Sequence, residues 1–297
     1  MTRPVTRPAR SPMARPVSEV LAAASALAEA DGIPELVHAT REACTRLRWH
    51  PALRRRIPEA AAESRVRGAA ASAEIDGARL SIGIVRDLLR GAVTWHADPD
   101  PVERVAQGAL TATAETERLS LVLTSAPLQA LVRLHTAAAA GLVDPDRLGR
   151  PRTDADDCQE LVELGPPPSA AQARARLAMV TELLTQLTSA PTLVVAALVH
   201  AEIATARPFV AGNGIVARAL ERLVLQVGGL DPTGVAVPEV GHLRAGPGYL
   251  GSLLAYGEGT MPGVMMWISH CASAIGEGAA EGERIADAVL AGRLTPG

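Results

Sequence analysis

The sequence predicts an all-α protein. Apolar residues recur at helical rather than alternating spacing along most of the chain. Most periodic stretches open on a capping residue or a proline, and several close at glycine. The chain has 297 residues, 48% hydrophobic and 2% aromatic, a composition with ample material for a core. The net charge of −3 gives no global pull toward nucleic acid. Every one of the 29 Lys+Arg residues is arginine, which reads as a compositional bias of the source genome rather than a device. Cys44, Cys158 and Cys271 are odd in number and far apart, which argues against a disulfide framework and against zinc.

Residues 1–16 are rich in Arg and Pro, with Pro4, Pro8, Pro12 and Pro16 spaced so that no helix can form, and are expected to be a disordered tail. Met13 is a candidate for the true start, an expectation that N-terminal sequencing of the native protein tests. Ser18 can cap a helix reaching Ala30, which Asp31-Gly32 ends. A second helix covers about Pro34 to Leu47, and Pro58 opens a third that runs through Ile75 to Gly77. Ser81 caps a fourth over Ile82 to Val93, Pro101 opens a long fifth reaching Thr124, and Pro127 to Ala140 forms a sixth.

Residues 141–168 break the pattern with Asp144-Pro145-Asp146, Gly149-Arg150-Pro151 and Pro166-Pro167-Pro168. Between these turns, Cys158 to Leu164 alternates partly and is expected to be a short strand or hairpin arm. Ser169 then caps a helix to Leu187, Pro191 opens one to Ala206, and another runs from Asn213 to Val227. Two more are expected, over Val237 to Tyr256 and Pro262 to Leu290. The organisation read from this pattern is a tail at 1–16, N-terminal helices at 17–100, and a principal domain with C-terminal helices at 101–297. No apolar leader stands at the N-terminus, and the most apolar run, 190–201, is too short to span a bilayer. A cytoplasmic protein without membrane contact is the expectation.

The chemistry-bearing stretch is Arg207-Pro208-Phe209-Val210-Ala211-Gly212-Asn213-Gly214-Ile215-Val216-Ala217-Arg218, which contains the only phenylalanine. Gly212-Asn213-Gly214 opens a helix whose first amides have no internal partners, so the backbone can approach an anion closely there. Arg218 lies one turn in, on the face looking back toward that cradle. Phe209 should be buried as an anchor. Arg207 stays protonated and cannot act as a general base. Ala211 offers no ligand to a hard cation, and Ile215 offers no charge to a transferring phosphoryl group. His200, two turns before Arg207, is expected to be a hydrogen-bonded core residue. The remaining histidines, His38, His50, His96, His135, His242 and His270, show no metal-ligand spacing.

This stretch resembles the signature of Fic (Fic/Doc, Fido) domain proteins, His-Pro-Phe-x-Asp/Glu-Gly-Asn-Gly-Arg-x-x-Arg. The resemblance implies a Fic-like helical fold and a loop binding nucleotide or another anion. The family transfers AMP from ATP to a protein hydroxyl. The departures fall on the family's base (Arg207 here), its Mg²⁺ carboxylate (Ala211) and its first phosphate-clamping arginine (Ile215). They imply a degenerate member that binds a nucleotide or anion through Arg207, Gly212, Asn213, Gly214 and Arg218, with no confident catalytic residue. ATP or another nucleotide is the ligand in view, with Mg²⁺ in doubt and no metal site assigned. An active protein adenylyltransferase with a non-standard site and a structural scaffold are the alternatives.

Upstream, Ala71-Ser72-Ala73-Glu74-Ile75-Asp76-Gly77 resembles the family's inhibitory motif, Ser/Thr-x-x-x-Glu-Gly/Asn. Ser72, Asp76 and Gly77 are its counterparts here, and Asp76 is expected to approach Arg218. The other reading of Asp76-Gly77 is an ordinary helix C-terminus. In the family the region between the motifs carries a flap that docks target segments, so 157–164 is the candidate contact for a protein partner. A homodimer is a further partner reading. The densest basic run, Arg46 to Arg56 with Trp49, reads as the charged face of a helix junction, and nucleic acid is not expected.

Overall fold

A computed structural model describes residues 18–294, which contain twelve α-helices, three short 3₁₀ turns and no strand. In order they are α1 (Glu19–Ala28), α2 (Ile33–Arg48), α3 (Ile57–Ile75), α4 (Ile82–Arg90), α5 (Pro101–Leu119), α6 (Pro127–Ala139), α7 (Ala170–Thr185), α8 (Thr192–Ala206), α9 (Asn213–Val227), α10 (Pro238–Ala245), α11 (Pro247–Gly257) and α12 (Met261–Leu290). The expected tail at 1–16 lies outside the described residues.

The termini of these helices follow local chemistry. Ser18, Ser81 and Thr260 each cap a helix by accepting from an amide of its first turn. Asp100 with Glu103, and Ser169 with Gln172, form reciprocal capping boxes. Pro34, Pro58, Pro101, Pro127, Pro238, Pro247 and Pro262 sit in first turns, where a missing N–H costs nothing.

Helix α8 is the axis of the molecule. Every residue from Leu193 to Ala206 except Leu198 is buried, as expected for a helix apolar on all sides. It packs against α9 through the turn at 207–212, and α7, α11 and α12 close around it. On the other side of α9 lie α5 and α6. The 30-residue α12 packs on α2, α3, α8, α10 and α11. One apolar cluster includes Ile33 and Leu47 together with Val194, Leu220, Trp267 and Ile285. Residues from both sides of position 100 therefore share a core.

Helix α9 buries three charged side chains, Arg218, Glu221 and Arg222, each no more than 1% exposed. Buried charge is costly unless paired, and each has a partner. Arg222 makes a two-pronged pair with Glu239 of α10, at 2.7 and 2.8 Å, and a third bond to Ser64 of α3 at 3.1 Å. These pairs tie α9 to α3 and α10, which apolar periodicity alone does not reveal.

Two expectations need correction. The single helix expected over Val237 to Tyr256 is broken into α10 and α11 at Gly246, which sits at φ 54°, ψ −125°. The following Pro247 both restricts its predecessor and opens the new helix. The strand or hairpin arm expected at 158–164 does not form. Leu161 adopts a left-handed conformation at φ 53° and residues Val162–Leu164 make a 3₁₀ turn. Among the described residues no neighbouring strand is available to satisfy an extended segment, and Glu160 turns inward to the loop before α9 instead.

Candidate anion-binding site

The site is built where α8 ends and α9 begins. Arg207 ends α8 in the left-handed region at φ 44° and donates its amide to Ile203 O at 3.0 Å. Gly212 (φ 82°) caps α9, a backbone state that glycine enters without strain. The intervening loop is locked by Asn213, which is fully buried. Its Oδ1 accepts from Phe209 N and its Nδ2 donates to Phe209 O, both at 3.0 Å. The amide side chain thus acts as a second strand of backbone, bracing the turn across four residues.

Phe209 is buried, as expected, and the imidazole of His135 on α6 stacks on it with ring centres 3.9 Å apart. His135 Nε2 donates to Ala211 O at 3.1 Å, while Gly149 N donates to His135 Nδ1 at 2.8 Å. Burial lowers this histidine to about 4, so it stays a neutral brace. From the other side, the buried guanidinium of Arg152 donates through Nε to Arg207 O at 2.7 Å and through Nη2 to Pro168 O. Neither His135 nor Arg152 was visible as a site residue in the sequence, since both act through contacts between distant segments.

The amides at the start of α9 converge on one carboxylate, and it belongs to the chain itself. Glu160 Oε1 accepts from Gly212 N at 3.1 Å, and Oε2 accepts from Asn213 N at 2.8 Å and Asn213 Nδ2 at 2.7 Å. A helix N-terminus with free amides is suited to such an anion. Burial and the nearby Asp76 nevertheless raise Glu160 above the usual carboxylate range, and the amides offset only part of that rise. The sequence offered no sign of this contact, because Glu160 lies more than fifty residues from the cradle in a segment without regular structure.

Asp76 is brought to Arg218. Arg218 Nη2 lies 2.6 Å from Asp76 Oδ2, and the same guanidinium donates to Ser72 Oγ at 2.9 Å and Ser72 O at 3.1 Å. Burial works against the charge of Arg218, but Asp76 and Tyr249 hold it above its ordinary value. Gly77 supplies the left-handed residue, φ 88°, after the last turn of α3. Gly214 makes room for the pair, since a Cβ there would lie 3.2 Å from Arg218 Nη1 and 3.4 Å from Asp76 Oδ1.

Arg207 takes no part in the cradle contacts. Its Nη1 donates to Glu160 O and Leu161 O, each at 3.2 Å, and its Nε has no hydrogen-bond partner although the residue is only 2% exposed. Burial lowers its pKa, and no ion pair with a carboxylate offsets that among the described residues.

A second polar cluster lies behind Arg218. His200 Nδ1 and His242 Nε2 both lie 2.7 Å from Glu221 Oε2, His200 Nε2 is 2.8 Å from Tyr249 Oη, and His242 Nδ1 is 2.9 Å from His270 Nε2. His200, Glu221 and His242 have the residue types of a metal centre. A tetrahedral Zn²⁺ would hold two such ligand atoms about 3.3 Å apart, so the observed spacings are those of hydrogen bonds. One proton per ring satisfies every contact, with both histidines donating to Glu221. Burial lowers His200 to about 4 and His270 to about 3. For Glu221 burial is outweighed by His242 and His200, which hold it well below the usual carboxylate range. His200 is therefore the core histidine expected from the sequence, while its partners Glu221 and His242 were not anticipated.

Comparison with known proteins agrees with this architecture. The model of the Fic/DOC family matches residues 125–225. No curated protein matches. A Fic family protein from Desulfovibrio desulfuricans G20 aligns over 95% of this chain and 77% of its own, with a TM-score of 0.63 and 20% identity. Fic-1 from C. elegans (residues 134–508) aligns over 93% and 83%, at 0.60 and 18%. A Fic domain containing signaling protein from Bacteroides thetaiotaomicron VPI-5482 aligns over 85% and 98%, at 0.61 and 14%. At these identities the likeness to the solved structures establishes the fold. Among the described residues, no helix is long and apolar enough to cross a membrane.

Proposed function

We propose, for a chain that carries a Fic/DOC-family domain over residues 125–225, that the domain binds an anion without carrying out the family's usual AMP transfer. One observation carries this reading: three donors at the start of α9 converge on the carboxylate of Glu160. The cradle is thus competent to hold an anion, and the chain's own acid competes for it. The residue at the end of α8, where the family resemblance places the base, is a guanidinium bound to two carbonyls. It cannot take a proton from a hydroxyl, and the loss of a positioned base costs roughly 10²–10⁴ in rate. Ala211 and Ile215 bring no oxygen to a metal and no charge to a phosphate, so the residues present do not fit a Mg²⁺–nucleotide complex held in the usual way.

An external anion must displace Glu160. A tethered group competes at an effective concentration on the order of millimolar or more, so nucleotide affinity is expected to be weak in the unaltered chain and to rise in Glu160→Ala. Calorimetric titration of both proteins with ATP and with inorganic pyrophosphate measures this. Incubation with labelled ATP and other nucleoside triphosphates, with a lysate as acceptor, tests the absence of transfer. Label incorporation that Arg218→Ala abolishes overturns the reading and favours an enzyme with a non-standard site. The segment 157–164 remains the candidate contact for a protein partner: Val162 is 60% exposed, and a partner that pulled it outward would withdraw Glu160 with it.

A further inference from the structure

Arg207 borders a second space besides the loop. A cavity of about 320 Å³ is lined by Leu164, Pro166 and Pro168 on one side, Leu253 and Leu254 of α11 on another, and Arg207 with Thr205 at the end of α8. Arg176 and Glu258 complete its polar lining. Arg176 is committed elsewhere, with Nε 2.6 Å from Glu202 Oε2 and Nη2 2.5 Å from Thr205 Oγ1. Arg207 is not so committed. Its guanidinium is buried, its Nε has no hydrogen-bond partner, and it forms no ion pair with a carboxylate among the described residues.

A buried cation in that state is costly in the free protein and rewards any anion that reaches it. Arg152, a second buried guanidinium, also forms no ion pair among the described residues and donates to the carbonyl of Arg207 itself. Glu160, the acid whose backbone carbonyl Arg207 contacts, has its carboxylate engaged by the cradle amides, and Glu202 is already paired with Arg176.

We propose that this cavity is a binding site for a small organic acid, whose carboxylate pairs with the unpartnered edge of Arg207 and whose apolar body lies against Leu164, Pro166, Pro168 and Leu253. The inference deepens the reading of Arg207 as a binding rather than a reacting residue, and it names a ligand class for that residue. A monoanion is selected over a dianion because Glu258 also lines the space and Glu202 stands behind Arg176. A planar carboxylate suits the fork of a guanidinium, and such charge-assisted pairs are the strong ones. The cavity is large enough for a single ring or a short chain, at the lower end of the range for small-molecule sites.

Benzoate is the probe, titrated into the full chain by calorimetry and followed by the chemical shift of the Arg207 side chain. Benzyl alcohol has the same shape without the charge, and inorganic phosphate has the charge without the apolar body. Saturable benzoate binding, at least about tenfold tighter than benzyl alcohol, is expected. Arg207→Gln should lose that advantage. Leu254→Trp, placed at an exposed position of the lining, should weaken benzoate while leaving Arg207 intact.

Equal affinity for benzyl alcohol, no binding at about 10 mM benzoate (an affinity too weak for a built site), or unchanged binding in both variants overturns the site. Phosphate binding as tightly as benzoate overturns the carboxylate assignment. If Arg207→Gln does not fold, the neutral isostere and Leu254→Trp decide the matter. Transfer of label from ATP would sink the preceding reading of the domain and leave the benzoate result standing on its own.

Discussion

Asp76 and Arg218 are 142 residues apart in sequence and 2.6 Å apart in space. The guanidinium is fully buried, so removing its partner leaves a charge without compensation. Asp76→Ala is expected to cost about 3–5 kcal/mol, less whatever solvent regains through the 17% of the Asp76 side chain that is exposed. Urea unfolding measures this, and a change below the error of the method would show that Ser72 alone satisfies Arg218.

Glu160 makes a prediction of opposite character. Its folded value is raised above the ordinary 4.5, so the folded protein holds this proton more tightly than the unfolded chain does. Its contribution is therefore most favourable below 4.5 and declines as pH rises through the raised folded value. Relative to Glu160→Gln, the unaltered chain should lose stability across that window, and parallel slopes in urea melts at several pH values would contradict it. Asp76 and Arg218 were legible from sequence because short motifs mark both ends of the pair. Glu160 was not, because its partners are backbone amides that carry no residue signature.

At the scale of elements, most helices lie where caps, prolines and period place them, and α9 spans Asn213–Val227 as expected. The exceptions have local causes. Gly246 holds a backbone conformation that L side chains rarely adopt, and nothing lies within 4 Å of where a Cβ would be. Crowding is thus not at issue, and Gly246→Ala should cost about 1–3 kcal/mol from backbone strain alone. A thermal melt that shows no loss would mean that the α10–α11 junction relaxes freely. The 158–164 segment misled periodicity because its partial alternation reflects contacts with two different partners. Glu160 turns to the cradle, whereas Leu161 and Leu164 pack on the core. The same alternation in a sheet would have required a neighbouring strand.

For the whole molecule, histidines buried on α6, α8 and α12 together with Glu221 of α9 couple stability to pH. His135 and His200 fall from 6.5 to about 4 and His270 to about 3 on folding, while Glu221 falls below its ordinary value. A depressed histidine binds its proton less readily in the folded state, so stability is present above 6.5 and is lost as pH falls from 6.5 through about 4. The carboxylate adds loss in the same direction below 4.5. Acid unfolding should therefore begin below about 6.5, and substitution of His270, the most accessible of these rings, should shift its onset. A stability profile flat from pH 7 to 4 would refute this account of the cluster.

The resemblance to the family motifs supplied the expectation that Asp76 meets Arg218, whereas the sequence by itself determined the helical class, nearly every helix start and the Gly212-Asn213-Gly214 turn that opens α9. All of these depend on short-range periodicity, capping or contiguous motifs. Only the tertiary structure decided what fills the cradle, where Arg207 points, and which side chains bond to Glu221. Those outcomes depend on which distant segments the fold brings against each buried polar group, since leaving such a group without a partner is costly. A residue's identity states what it can bond to, and the fold alone settles which bond is made.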